Sequence, residues 1–276
     1  PVEWMAAFLD KEPEGRKERA INIVRSLKYK IRRPTINKSG VVWEIDSDNK
    51  TLIQPLTSIK GLGAKAVEQI LNHRPFSTIE ELLFNEDIVY SKLNKKALDV
   101  MTRCGALDEL VDERFTGLKH FWSATAVDRP KKEKNLVENI ETYRPEGDFS
   151  REEKMEYLTS LTGIYPVSEV VSDSVLKKIN QNKIPSIGEY DKKLKVCWFI
   201  ARECLQKKTK HGKIYWILKV IDRDSNSFDI KCWGINPNLD FVETNKLYMA
   251  KLDHSDTWGF SVRSFGKNVK MIKGIQ

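Results

Sequence analysis

Residues 55–71 constrain the fold of this chain more than any other stretch. Two apolar runs are separated by Ile59, Lys60, Gly61, Leu62 and Gly63, and Lys65 follows in the first turn of the second run. The pattern predicts a helix, a hairpin and a second helix. The glycines around Leu62 give the backbone φ freedom and remove the side chains that would hold a ligand off. The helix after Ala64 aims its positive end and its unpaired N–H groups at the same spot. Lys60 and Lys65 add charge on either side. Such a hairpin suits a phosphate held through the backbone, with no base read, which makes DNA the leading ligand. A Gly-x-Gly between apolar runs also serves as a plain turn joining two packed helices, and that reading stands beside the first.

A weaker copy lies downstream, with Asn94 as the expected cap and Lys95 and Lys96 at the hairpin. Ala97, Leu98 and Met101 then share one helical face, as Val67, Ile70 and Leu71 do in the first copy. Two such hairpins related by a pseudo-dyad suit the two strands of a duplex. The duplex-binding candidates are therefore Lys60, Gly61, Leu62, Gly63, Lys65, Asn94, Lys95 and Lys96.

A length of 276 residues points to about two domains. A formal net charge of +8 favours a polyanionic partner without choosing among DNA, RNA and a membrane surface. No apolar run is long enough to span a bilayer, and no signal-peptide pattern opens the chain. Cys104, Cys197, Cys204 and Cys232 form no C-x-x-C pair, so reduced thiols in a cytoplasmic setting are the expectation. The chain lacks an initiator Met, and Val2 to Leu9 already reads as helix. The expectation is a piece of a longer chain, although processing or an expression boundary would give the same start.

Residues 1–30 read as helices, with Ile21, Val24 and Leu27 on a helical period, and Pro34 breaks the pattern. Short strands are expected at residues 41–45 and 52–53. The polar stretch 123–147 reads as a loosely ordered connector or a marginal helical insert. Ser150 and Glu153 form a capping box ahead of a stripe of Met155, Leu158 and Leu161, with Gly163 as the stop. From residue 194 the period changes. Segments 194–204, 213–222, 227–234, 246–253 and 257–263 are rich in Val, Ile and aromatics and are separated by polar turns. Five short strands suit a small barrel of the oligonucleotide-binding (OB) type. Its first turn carries Lys207, Lys208, Lys210, His211 and Lys213, with Arg202 nearby, among Trp198, Phe199, Tyr215, Trp216 and Trp233. Cations serve a single strand's phosphates and flat rings serve its bases. Most of these aromatics are expected in the core, with one or two exposed. The single-strand candidates are Arg202, Lys207, Lys208, Lys210, Lys213, Tyr215 and Trp233.

The order of these pieces resembles the C-terminal part of the family C, bacterial-type replicative DNA polymerase III alpha subunit, bacterial or phage. Val2 to Leu9 looks like the end of that family's fingers, and Arg33, Pro34, Thr35, Ile36 and Asn37 are similar to its Pro-rich segment. The two hairpins, closing at Cys104, Gly105, Ala106, Leu107 and Asp108, match its tandem helix-hairpin-helix. Leu161 to Pro166 resembles the entry to its barrel, and Thr209 to Lys213 falls at its basic first turn. The resemblance implies a multidomain, mainly α chain followed by a five-stranded OB-fold barrel. Its parts would be residues 1–54 (end of fingers), 55–110 (hairpin pair), 111–192 (helical connector) and 193–276 (barrel).

The same resemblance implies a nucleotidyltransferase parent working on primer-template DNA in the cytoplasm, of the host if the parent is phage-encoded. Its Mg2+ would sit at a palm upstream of this sequence, and a monovalent cation would accompany the Gly61–Gly63 hairpin. The upstream catalytic half and a sliding clamp would be its partners. Residues 114–122 have the aromatics of the family's clamp-binding peptide but not its leading glutamine. Asp46 and Asp48 form a D-x-D pair in a Ser/Asn-rich turn, where they read as turn formers. The chain alone is expected to be inactive. A stand-alone DNA-binding scaffold of repair or recombination is the competing reading, and a nuclease or ligase has no supporting cluster.

Overall fold

The computed structural model describes residues 1–13, 16–236 and 242–271. The chain divides into two compact units, Pro1–Tyr165 and Pro166–Gln276. No helix among the described residues is long and apolar enough to cross a membrane.

In the first unit, α1 (Val2–Lys11) and α2 (Lys17–Ser26) pack Val2, Ala6, Leu9, Ala20, Ile21 and Val24 against Trp43 and Leu52. A small sheet follows, with β1 (Lys30–Arg32) parallel and β2 (Glu44–Ile45) antiparallel to a central β3 (Thr51–Ile53). The turn between β2 and β3 accounts for the D-x-D pair. Asp46 holds Arg32 at 2.6 Å, and Asp48 accepts from the N–H groups of Lys50 and Thr51 and from the Thr51 hydroxyl. The Asp48 carboxylate thus closes the turn, and that of Asp46 ties it to β1.

The first limb of the first hairpin is a single 3₁₀ turn, Leu56–Ser58, rather than a full helix. Its second limb is α3 (Ala64–His73), followed by α4 (Ile79–Leu83) and α5 (Lys95–Arg103). Val67, Ile70, Leu93, Ala97, Leu98, Val100 and Met101 lie in one core, which explains why both hairpins are rigidly based. Asn94 caps α5 by accepting the Ala97 N–H at 3.0 Å, a contact worth about 1 kcal/mol.

The polar stretch 123–147 is ordered. After α6 (Leu118–Trp122) the chain continues through a wide π-type turn, Ser123–Val127, and into α7 (Glu133–Thr142), which buries Leu136, Asn139 and Ile140. The insert reading holds because Asn139 donates to the Ala124 and Asp128 carbonyls, so even its polar residue is built into the core. Helix α8 (Arg151–Thr162) starts with the expected reciprocal Ser150–Glu153 box and stops at Gly163, whose φ is 71°. Phe115 and Phe121 are buried and Trp122 donates to Asp99 at 3.0 Å, so the aromatics of residues 114–122 are structural.

The second unit begins with short helices α9 (Val167–Val170) and α10 (Asp173–Gln181). Among the described residues seven strands then form, where five were expected: β4 (Val196–Lys208), β5 (Ile214–Ile221), β6 (Ser227–Trp233), β7 (Leu247–Lys251), β8 (Asp253–Ser255), β9 (Gly259–Arg263) and β10 (Val269–Met271). A short helix, α11 (Phe265–Asn268), precedes β10. The count rises because the fourth expected strand is split at Leu252 and because β10 adds to β7. The hydrogen-bonded order is β10-β7-β4-β5-β6-β9-β8. β7 pairs with β4 and β8 with β9, yet only Leu252 separates them in the chain. The sheet has therefore curled until its ends meet on one run of residues. The thirteen-residue β4 serves both β7 and β5, with a bulge between Ala201 and Glu203, the usual device for bending a strand. Cys197, Phe199, Leu218, Val220, Ile230, Cys232 and Val262 fill the concave core.

All four cysteines are free. Burial pushes the thiols of Cys104, Cys197 and Cys232 up to about 12, so they stay protonated at neutral pH.

Candidate nucleic-acid interface

The first hairpin leaves a specific set of backbone donors unpaired. The Lys60 N–H goes to the Leu161 carbonyl at 2.9 Å and the Leu62 N–H closes the turn on Ile59 at 3.1 Å. The Gly63 carbonyl takes the N–H groups of Ala66 and Val67. Among the described residues no protein acceptor meets the N–H groups of Gly61, Gly63, Ala64 and Lys65. Leu62 buries its side chain and pins the loop, while Lys60 and Lys65 are exposed beside it.

The two glycines do different work. Gly61 sits at φ 89°, in the left-handed region that a side chain strains. Gly63 is extended at φ −74° and would place a Cβ in open space. Its backbone therefore does not require glycine, and the absent side chain leaves the front of α3 open.

The second hairpin is not a replica of the first. Asn94 occupies the front of α5 with its own oxygen. Lys95 donates to the Val127 carbonyl at 3.1 Å and lies 3.4 Å from Asp128, and Lys96 pairs with Asp99 at 3.1 Å. The structure nevertheless brings the two together. A Cβ built on Gly61 would lie 3.5 Å from the Lys96 Cε and 3.4 Å from Val100. Lys96 thus stands over the first hairpin while belonging to the second. Burial alone would raise the Asp99 carboxyl. Hydrogen bonds from Arg103, Trp122 and Lys96 outweigh that and hold it below its ordinary 3.8.

On the curled sheet, register assembles what the sequence scatters. Lys207 stands opposite Tyr215. The Tyr215 and Trp233 rings stack at 4.8 Å and 25°. Trp233 is opposite Arg263. Four strands therefore contribute one row of cation, ring, ring and cation on the convex face, and the Lys213 Nζ adds charge 5.9 Å from the Trp233 ring. The next row is Leu205, Ile217, Lys231 and Ser261, and the one after it is Glu203, Lys219 and Asp229. In that last row Glu203 pairs with Lys219 at 2.9 Å, and its two carboxylates against one ammonium leave it net negative. Positive charge and aromatic surface concentrate at the β4–β5 turn, which Thr209 closes through its carbonyl and hydroxyl and Gly212 completes at φ 76°.

Lys207, Lys213, Tyr215 and Trp233 of the expected set thus come together. Lys210 sits at the turn tip, Lys208 falls on the opposite face by alternation, and Arg202 is half-buried at the bulge. Trp198 and Phe199 are buried and Trp216 packs on the core. Arg263, Lys231 and Trp258 escaped notice in the sequence because they lie far from the basic turn in the chain. A period-2 count outward from Trp233 would have found Lys231.

Residues 28–117 match the helix-hairpin-helix motif family. The chain is 33% identical over 120 residues to the DNA polymerase III subunit alpha of Xylella fastidiosa, covering 41% of this chain and 10% of that protein. It is 30% identical over 136 residues to the subunit of Pseudomonas aeruginosa (47% and 11%) and 30% identical over 128 residues to that of Helicobacter pylori (42% and 10%). Each match thus spans about a tenth of the relative's length. Among solved structures, the second OB-fold domain of replication protein A from Methanococcus maripaludis is similar at 11% identity and a TM-score of 0.19, covering 29% of this chain and 86% of that one. The resemblance to the helix-hairpin-helix region of the polymerase III alpha subunit stands on the motif and the relatives together.

Proposed function

We propose that this chain is the DNA-binding part of a replicative DNA-directed DNA polymerase. The hairpin unit holds product duplex through the amides of Gly61, Gly63, Ala64 and Lys65, with Lys60, Lys65 and Lys96 around the same phosphate. The curled sheet works as an OB-type barrel and holds single-stranded template on the row of Lys207, Tyr215, Trp233 and Arg263. The observation that carries the reading is the first hairpin, where four adjacent N–H groups lack a protein acceptor beside two exposed lysines. Backbone donors contact phosphate and carry no sequence information, which suits an enzyme that must copy any template.

Nucleotidyl transfer itself, with its Mg2+, belongs to a palm outside this sequence, and the chain alone is inactive. A monovalent cation accompanies the phosphate at Gly61 and Gly63. Any sliding clamp is engaged elsewhere than residues 114–122, whose Phe115 and Phe121 are core residues. The four reduced thiols fit a cytoplasmic setting.

The test is a fluorescence-anisotropy titration of the chain against primer-template duplex and against a single-stranded oligonucleotide over a salt series. Binding to both, with log affinity falling steeply against log salt, is expected. Absence of binding to either near physiological salt would make the hairpins mere joints between helices and remove the proposal.

A further inference from the structure

We propose that Trp258 and Lys231 form a second base-stacking station on the curled sheet, reached by a single strand that has first crossed the Tyr215–Trp233 pair. The proposal rests on the single-strand reading of that face and adds a path and a minimum length to it.

Trp258 is 71% exposed. A single exposed apolar residue is unremarkable in itself, but this one is built into a formed turn. The Ser255 hydroxyl oxygen accepts the Trp258 N–H at 2.9 Å, and Gly259 adopts φ 69° immediately after it. The Lys231 Nζ lies 4.9 Å from the indole centroid, within reach of a cation–π contact. A flat ring with a cation beside it offers one surface for a base and one charge for the adjoining phosphate.

Position sets the path. Lys231 lies two residues before Trp233 on the same face of β6, about 7 Å along the strand. It is therefore the step between the two aromatic groups. At the β8–β9 turn Asp256 is paired with Lys192 at 3.3 Å and Asp253 with Lys195 at 3.0 Å, while the exposed Asp229 lies on the far side of Lys231 from Trp233. Past the Lys231 row on the β4–β5–β6 side stand Glu203, Lys219 and Asp229, with no ring among them. A polyanion entering at Lys207 and Lys213 is thus drawn across Trp233 toward the β8–β9 turn.

The test compares oligo(dT) of about four and about twelve nucleotides, a short and a longer length within the range of single-strand site sizes, on the full chain by anisotropy. Trp258→Ala should weaken the longer strand roughly tenfold and leave the shorter one unchanged. Trp258→Phe should recover most of the loss, and Lys231→Ala should lower the salt slope for the longer strand by about 0.7. Unchanged affinity at both lengths, or an equal loss at both, would overturn the second station. Tyr215→Ala with Trp233→Ala keeps that outcome separate from failure of the face as a whole. If the double variant loses both lengths while Trp258→Ala loses neither, only the second station is wrong. If neither variant changes either length, the single-strand reading falls and takes this proposal with it.

Discussion

The hairpin unit and the curled sheet face a ligand with opposite materials. The first offers main-chain N–H groups whose positions are set by buried neighbours such as Leu62, Val67 and Val100. The second offers side chains on an open face, aligned only by strand register. A backbone site is hard to lose by single substitution, except where a side chain is added. A side-chain site can be dismantled one residue at a time. The contrast also runs inside the first unit, where Gly61 holds a left-handed φ of 89° and Gly63 has an ordinary φ with open space where a Cβ would stand.

The largest effect is expected from Gly61→Val. Forcing a β-branched residue to φ 89° should cost about 1–3 kcal/mol of stability, measurable by urea unfolding, and should reduce duplex affinity with it. Gly63→Val separates the two quantities. Its site is open and its φ is ordinary, so stability should fall by at most about 1 kcal/mol. Duplex affinity should still drop about tenfold, because the loss of an approach worth roughly 1.4 kcal/mol is one power of ten. Unchanged duplex binding in this variant would end the distinction between the glycines. Tyr215→Ala comes next, with a loss of about 1–3 kcal/mol in single-strand binding and none in duplex binding.

Reversing Lys208, Lys210 and Lys213 to Glu should flatten the salt dependence of single-strand binding by about 0.7 per phosphate contact removed. Lys213 should account for most of it, given its place beside Trp233. The smallest effect is expected from Asp99→Asn. A carboxyl held below its ordinary 3.8 in the fold adds stability above that value and loses it as pH falls through the folded value. The variant's deficit should therefore be present at neutral pH and shrink in acid, read by chemical unfolding across that range.

The hairpin, the caps and the switch of period at residue 194 were legible because each rests on local chemistry. Gly61, Asn94, Ser150 with Glu153, and Gly163 all act within a turn or two of themselves. The row of Lys207, Tyr215, Trp233 and Arg263 was legible only in its first three members. Register across β6 and β9 depends on how the sheet curls, and no local pattern reports that. The shortened first limb of the hairpin was misread for a related reason. Residues 56–58 carry helical periodicity, but Ser58 turns its hydroxyl back onto the Pro55 carbonyl and Lys60 gives its N–H to Leu161, so the chain leaves the helix after one turn. The split at Leu252 had no signal, because a buried apolar residue between exposed Lys251 and Asp253 simply continues the alternation of a strand.

That split has a consequence for how the second unit comes into being. β4 finds β7 and β6 finds β9 only after most of the intervening chain has been made, so the pairings that shape the face are among the most distant in this unit. Loop closure of that kind precedes its reward and slows folding. The β4–β5–β6 meander can form early, since its turns are short. Arg263 and the Trp258 turn arrive with the last strands. A nascent or partly unfolded unit would thus display the Tyr215–Trp233 pair before it had the rest of its face, and competence for longer strands would appear as the final, cooperative event of folding.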